Sequence, residues 1–133
     1  MAQKTKNKIL IVDDDSGIRD IYSIALSAKD FDVITAVNGE EGLEKSIKET
    51  PDLILLDISM PVMDGLTMLK KLRATNDYAK KVKVILLTNL SAGNEDIIKG
   101  VVETEPDYYI VKSSLSVSEL VKKVKEVVGS KDK

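Results

Sequence analysis

A run of three carboxylates, Asp13-Asp14-Asp15, follows the apolar stretch Lys8-Ile-Leu-Ile-Val12, and a lone carboxylate, Asp57, closes the stretch Leu53-Ile-Leu-Leu. Thr88 ends a third such stretch and Lys112 a fourth. Each polar group stands where a strand-sized apolar run stops. If these runs are neighbouring parallel strands, the groups converge on one rim. Two carboxylates about 4 Å apart repel by on the order of 4 kcal/mol at an effective dielectric near 20, so the cluster calls for a counter-charge. Mg2+ suits it, because that ion takes oxygens from one or two carboxylates and leaves room for a phosphate oxygen; Mn2+ is a possible substitute. Lys112 offers an ammonium on a flexible stem and Thr88 a hydroxyl donor, both suited to the oxygens of a tetrahedral phosphoryl group.

Composition narrows the alternatives. The 133 residues contain no histidine and no cysteine, which excludes serine-histidine triads, thiol-histidine dyads and zinc hydrolase sites. Any chemistry runs on carboxylates, hydroxyls, lysine or a hard cation. Lys and Arg number 20 against 22 Asp and Glu and are scattered along the chain, so no direct nucleic-acid binding is expected. The longest apolar runs are strand-sized, and no apolar stretch backs the amino-terminal lysines. The expectation is a cytoplasmic protein without a membrane segment.

The elements that must position these groups alternate regularly. The strand at Lys8–Asp13 is followed by Ile18, Ile21, Tyr22, Ala25 and Leu26 at helical spacing. Phe31–Ala36 reads as a second strand, and Asn38-Gly39 opens a helix with Leu43 and Ile47 inward, ending before Pro51. Leu53–Asp57 is apolar throughout, as a strand covered on both faces requires. Beyond Pro61 and Asp64-Gly65 come a helix with Leu66, Leu69 and Leu72 inward, a strand over Val82–Thr88, and a short helix marked by Ile97, Ile98, Val101 and Val102. Tyr108–Val111 makes the fifth strand. Ser116-Val-Ser-Glu119 is a capping box opening a last helix that buries Leu120, Val121, Val124, Val127 and Val128. The pattern predicts an α/β fold, a flavodoxin-like doubly wound five-stranded parallel sheet of order 2-1-3-4-5 with five helices. One domain is expected over residues 8–129, with polar tails at 1–7 and 130–133. In such a sheet ligands bind beyond the carboxyl ends of the strands, where the winding reverses.

Ile-Val-Asp13-Asp14-Asp15, Leu-Leu-Asp57-Ile-Ser-Met-Pro61 with Asp64-Gly65, Leu-Leu-Thr88 and Tyr109-Ile-Val-Lys112 together resemble, in order and spacing, the receiver domains of bacterial two-component response regulators, over about residues 8 to 129. The resemblance implies that Asp57 takes a phosphoryl group from a phosphohistidine of a sensor histidine kinase or a histidine phosphotransfer protein. It implies that Asp14 and Asp57 bind Mg2+ through their side chains, Ser59 through its backbone carbonyl and Asp13 through water. Thr88 and Lys112 would hold phosphoryl oxygens. Tyr109 matches the aromatic switch residue, which follows Thr88 and reshapes the face of the fourth helix, fifth strand and fifth helix, where a downstream partner or second receiver binds. Such a domain is no enzyme beyond its own phosphorylation and dephosphorylation.

The sequence departs from that pattern in three places. Ser113 follows Lys112 where proline with a cis bond is usual; a non-proline cis bond costs roughly 2.5–4 kcal/mol, so a trans bond is predicted. Glu105-Pro106 replaces a usual glycine-alanine pair, and Asn89 stands where a small apolar residue is common. The bland readings are a solvated turn and helix cap at Asp13-Asp14-Asp15, a surface lysine at Lys112 and a core tyrosine at Tyr109. Alternatives are a docking module that works without phosphorylation and a haloacid-dehalogenase-like phosphatase; the latter wants an aspartate where Ser59 stands. A flavodoxin-type flavin carrier is disfavoured by the acidic run after the first strand. Ser59 and Leu90 flank the expected water approach to an aspartyl phosphate, and the apolar Leu90 predicts slow hydrolysis.

Overall fold

The structure is a computed structural model and describes residues 6–88 and 95–129. Its elements are β1 (Lys8–Val12), α1 (Ser16–Ser27), β2 (Asp32–Ala36), α2 (Gly39–Glu49), β3 (Leu53–Asp57), α3 (Gly65–Arg73), α4 (Asp77–Lys81), β4 (Lys83–Thr88), α5 (Glu95–Thr104), β5 (Tyr108–Val111), a 3-10 turn (Lys112–Ser114) and α6 (Val117–Gly129). The strands form one parallel sheet in the order β2-β1-β3-β4-β5. The winding reverses between β1 and β3, as expected. No helix of the described residues is long and apolar enough to cross a membrane.

Because strand side chains alternate, each apolar run feeds two cores. Ile9, Ile11, Leu53, Leu55, Ile85 and Leu87 pack with Tyr22 and Leu26 of α1 and with Leu120, Val121, Val124, Val127 and Val128 of α6. Leu10, Val12, Ile54, Leu56, Val84 and Leu86 pack on the other face with Met68, Leu69 and Leu72 of α3 and Ala79 of α4. All five residues expected inward on the last helix are buried, and its capping box forms, with Ser116 N–H donating to Glu119 Oε1 at 2.8 Å and Glu119 N–H to Ser116 Oγ at 3.1 Å.

Two expectations need correction. The described residues contain six α-helices, not five; the addition is α4, a single turn that Asn76 caps by accepting from Ala79 N–H at 2.8 Å. Tyr78 Oη pins this turn by donating to the Pro51 carbonyl at 2.6 Å. Ile47 is 40% exposed, because α2 turns Gly39, Gly42 and Ser46 inward instead. That helix rides close to the sheet: a Cβ on Gly42 would lie 2.8 Å from Met68 Sδ and 2.9 Å from a methyl of Val12, so small residues form the contact. Ile21, at helical spacing with the buried residues of α1, is 48% exposed.

Candidate functional site

Hydrogen bonds at the carboxyl ends of the strands set the acidic groups. Asp13 N–H donates to the Ala36 carbonyl at 3.1 Å, and the Asp13 carbonyl accepts from Arg19 Nη1 at 2.8 Å. Asp13 Oδ1 then accepts from Asp15 N–H at 3.0 Å, which turns the chain into α1. Asp15 itself is the helix cap, accepting from Gly17 N–H at 2.8 Å and Ile18 N–H at 3.2 Å. The helix-cap reading is therefore right for Asp15 and leaves Asp13 and Asp14 for the site.

Asp57 ends β3, and Ile58 N–H continues the ladder to the Leu87 carbonyl at 3.0 Å. The following loop returns so that Gly65 N–H donates to the Ile58 carbonyl at 2.8 Å. At this crossing only glycine fits, because a Cβ on Gly65 would run into the Asp57 carbonyl. Asp64 caps α3 by accepting from Thr67 N–H at 2.8 Å. Together these contacts fix the backbone on both sides of Asp57.

The three carboxylates converge: Asp13, Asp14 and Asp57 each place an oxygen within 4.8 Å of the others, an arrangement able to hold a metal ion. Asp13 and Asp57 are buried, at 2% and 5% exposure, while Asp14 faces solvent. Lys112 reaches over from the end of β5, its Nζ 2.7 Å from Asp13 Oδ2 and 3.4 Å from Asp57 Oδ1. Asp13, Asp14, Asp15, Ile18, Asp57, Ser59 and Lys112 line a cleft of about 520 Å³. Four carboxylates face one lysine in this cleft, so with the acids ionised it carries an excess of negative charge suited to a cation.

The electrostatics follow from burial. Desolvation first, then the charge of Asp13, push the Asp57 carboxyl up to about 6, against the attraction of Lys112. For Lys112, burial works to lower the pKa, but the hydrogen bond and charge of Asp13 and the charge of Asp57 outweigh it and hold the ammonium above its ordinary value. Tyr22, buried on α1, is raised chiefly by burial and feels the charges of Lys112, Asp13 and Asp57. Neither Ile18 as a wall nor Tyr22 as a neighbour was foreseen from the sequence; their helical spacing marks them only as apolar.

Thr88 is fully buried at the end of β4, in register with Val111. Tyr109 is half-buried and packs against the core on the α3 side. Among the described residues, Asp13, Asp14, Asp57, Ser59 and Lys112 line the acidic cleft and Thr88 and Tyr109 do not. No peptide bond among the described residues is cis, so Lys112–Ser113 is trans, and Lys112 reaches the acids from a 3-10 turn. Glu105 adopts a left-handed φ of 51° at the end of α5, the conformation for which glycine is suited. Asn89 and Leu90 lie outside the described residues.

Comparison with known proteins agrees with this geometry. Residues 9–125 match the model of the response regulator receiver domain. The chain is 41% identical over 128 residues to the "Probable transcriptional regulator ycf27" of Porphyridium aerugineum, covering 96% of this chain and 50% of that protein. It is 37% identical over 124 residues to the transcriptional regulatory protein PrrA of Mycobacterium tuberculosis, covering 93% and 51%. The chain spans about half the length of these curated relatives. Among solved structures, a CheY-like receiver domain from Methanospirillum hungatei superposes with a TM-score of 0.84 at 30% identity, covering 96% of this chain and 97% of that one. The CheX-CheY-BeF3-Mg complex of Borrelia burgdorferi contains a chain that superposes at 0.78 and 30% identity, covering 91% and 88%.

Proposed function

Because the chain belongs to the response regulator receiver domain family, we propose that Asp57 is its phosphoacceptor, loaded from the phosphohistidine of a sensor histidine kinase or a histidine phosphotransfer protein. The observation that carries this is the Lys112 ammonium lying between the buried carboxylates of Asp13 and Asp57 at the strand ends. In the transfer a carboxylate oxygen of Asp57 forms a bond to phosphorus as the histidine N–P bond breaks, and the freed imidazole takes its proton from solvent. Asp57 needs little activation beyond being ionised and held in line, and its fixed backbone supplies the alignment. Lys112 offers its charge to the arriving oxygens without leaving the cleft.

The three carboxylates that converge here, with Ser59 lining the same cleft, fit a hard cation, Mg2+ or Mn2+: Asp14 and Asp57 would hold it through their side chains, Ser59 through its carbonyl and Asp13 through water. When bound, such an ion neutralises charge on the phosphoryl oxygens. After loading, the Thr88 hydroxyl turns toward the phosphoryl group and Tyr109 follows it inward. The face made by α5, β5 and α6 then changes, shifting an existing equilibrium toward binding of a downstream partner or a second receiver. Val102, 70% exposed, and Tyr108, 40% exposed beneath Lys123 Nζ at 4.5 Å, are available on that face. The domain catalyses only its own loading and unloading and works in the cytoplasm beside its donor.

The test is incubation with acetyl phosphate and Mg2+ followed by intact mass measurement. One added phosphoryl group is expected in the wild type and none in Asp57→Asn. A mass gain that persists in the variant would refute the assignment.

A further inference from the structure

Just beyond the acceptor strand, one residue holds a conformation that suits its side chain badly. Val62 has a φ of 70°, and Met63 N–H donates to the Pro61 carbonyl at 2.7 Å, closing a three-residue turn around it. Such turns are strained, and a β-branched side chain is among the least tolerant of a left-handed backbone. Glycine or asparagine would occupy the position far more readily. Burial does not compensate, since Val62 is 76% exposed, more than any other large apolar side chain among the described residues. The turn is also held in place: the Met63 carbonyl accepts from Gly39 N–H at 3.0 Å, and the loop closes where Gly65 N–H meets the Ile58 carbonyl. Folding alone therefore gives no reason for a valine here.

Location supplies one. The same loop carries Ser59 into the cleft, and Val62 follows Asp57 by five positions. Asp57 is only 5% exposed, so a donor that brings a phosphohistidine to it must close over the surrounding loops. A second exposed apolar residue, Val37 at 44%, stands on the β2–α2 loop, which the Gly39–Met63 hydrogen bond ties to Val62's turn. We infer that Val62, supported by Val37, is an apolar contact on which the protein phosphodonor seats during transfer, and that it helps determine which donors are accepted. This rests on the reading of Asp57 as acceptor for a protein phosphohistidine. Val62 takes no part in the bond changes themselves.

The experiment compares the full chain with Val62→Asn and Val62→Gly in three assays: thermal melting, labelling by acetyl phosphate with Mg2+, and transfer from an autophosphorylated cytoplasmic histidine-kinase fragment chosen from a panel for transfer to the wild type. Relief of the left-handed strain raises the melting temperature of Val62→Asn by about 3 °C. Acetyl phosphate labelling stays within about twofold in both variants, whereas kinase transfer falls about tenfold or more, as loss of a central apolar contact entails. Unchanged kinase transfer in both variants overturns the inference. So does an equal fall with both donors, which would place Val62 in the site itself. Wild-type labelling by acetyl phosphate but by no kinase fragment removes the donor and the inference together; no labelling by acetyl phosphate refutes the reading of Asp57.

Discussion

Replacing Asp57 with asparagine removes a charge that the fold buries at a cost, so the metal-free variant is expected to be more stable than the wild type, and by an amount that depends on pH. The Asp57 carboxyl is pushed from 3.8 up to about 6. A raised value means that the native state holds this proton more tightly than the unfolded chain does. Stability therefore falls as pH rises from about 4 to about 6, and the full penalty is present above that window. Raising the carboxyl from 3.8 to about 6 corresponds to about 3 kcal/mol. Asparagine carries no charge to desolvate and still offers Lys112 an oxygen, while Lys112 keeps its 2.7 Å bond to Asp13. Near pH 8 in EDTA, Asp57→Asn should gain up to about 3 kcal/mol, or about 10 °C for a chain of this length. At pH 4 the wild type is already neutral at this position and the gain should nearly vanish. Thermal melts of both proteins across this range decide the matter. A difference independent of pH, or a variant less stable at pH 8, would refute the reasoning.

Mg2+ should raise the melting temperature of the unphosphorylated protein in proportion to the logarithm of its concentration once the site fills, and Asp14→Ala should blunt the rise; an equal rise in both proteins would count against the site. Glu105→Gly should stabilise by about 0.5–1 kcal/mol by accommodating the left-handed φ of 51°, and denaturant unfolding that shows no gain would contradict this. Leu90→Gln should shorten the lifetime of the phosphorylated form by giving the attacking water an orienting partner, with Mg2+ binding unchanged. Equal rates of phosphate loss would show that Leu90 does not border the water path.

The sheet was legible because its central strands β1, β3 and β4 are short, nearly continuous apolar runs, and parallel strands covered on both faces need no polar alternation. Convergence of Asp13, Asp14, Asp57 and Lys112 was legible for a related reason: parallel strands end on one edge, so groups far apart in sequence meet if each terminates its strand. The 99-position separation of Asp13 and Lys112 is bridged in this way. Helix α4 was not legible, since five residues with one buried alanine give no periodicity. The orientation of α2 was misjudged because hydrophobicity favours Ile47, whereas the close approach of helix to sheet demands glycine and serine. The particular pairing of Lys112 with Asp13 was not legible, because it depends on where the chain goes after β5. The strain at Val62 depends on a backbone angle that residue types do not reveal.

The most direct test of the central claim is to locate the phosphoryl group chemically. An aspartyl phosphate is an acyl phosphate, and borohydride reduction converts it to homoserine, which peptide sequencing by mass spectrometry can place. After treatment with acetyl phosphate and Mg2+, homoserine is expected at position 57 alone, and none after omission of Mg2+. Homoserine at position 13 or 14, or a labelled protein in which position 57 remains aspartate, would contradict the account.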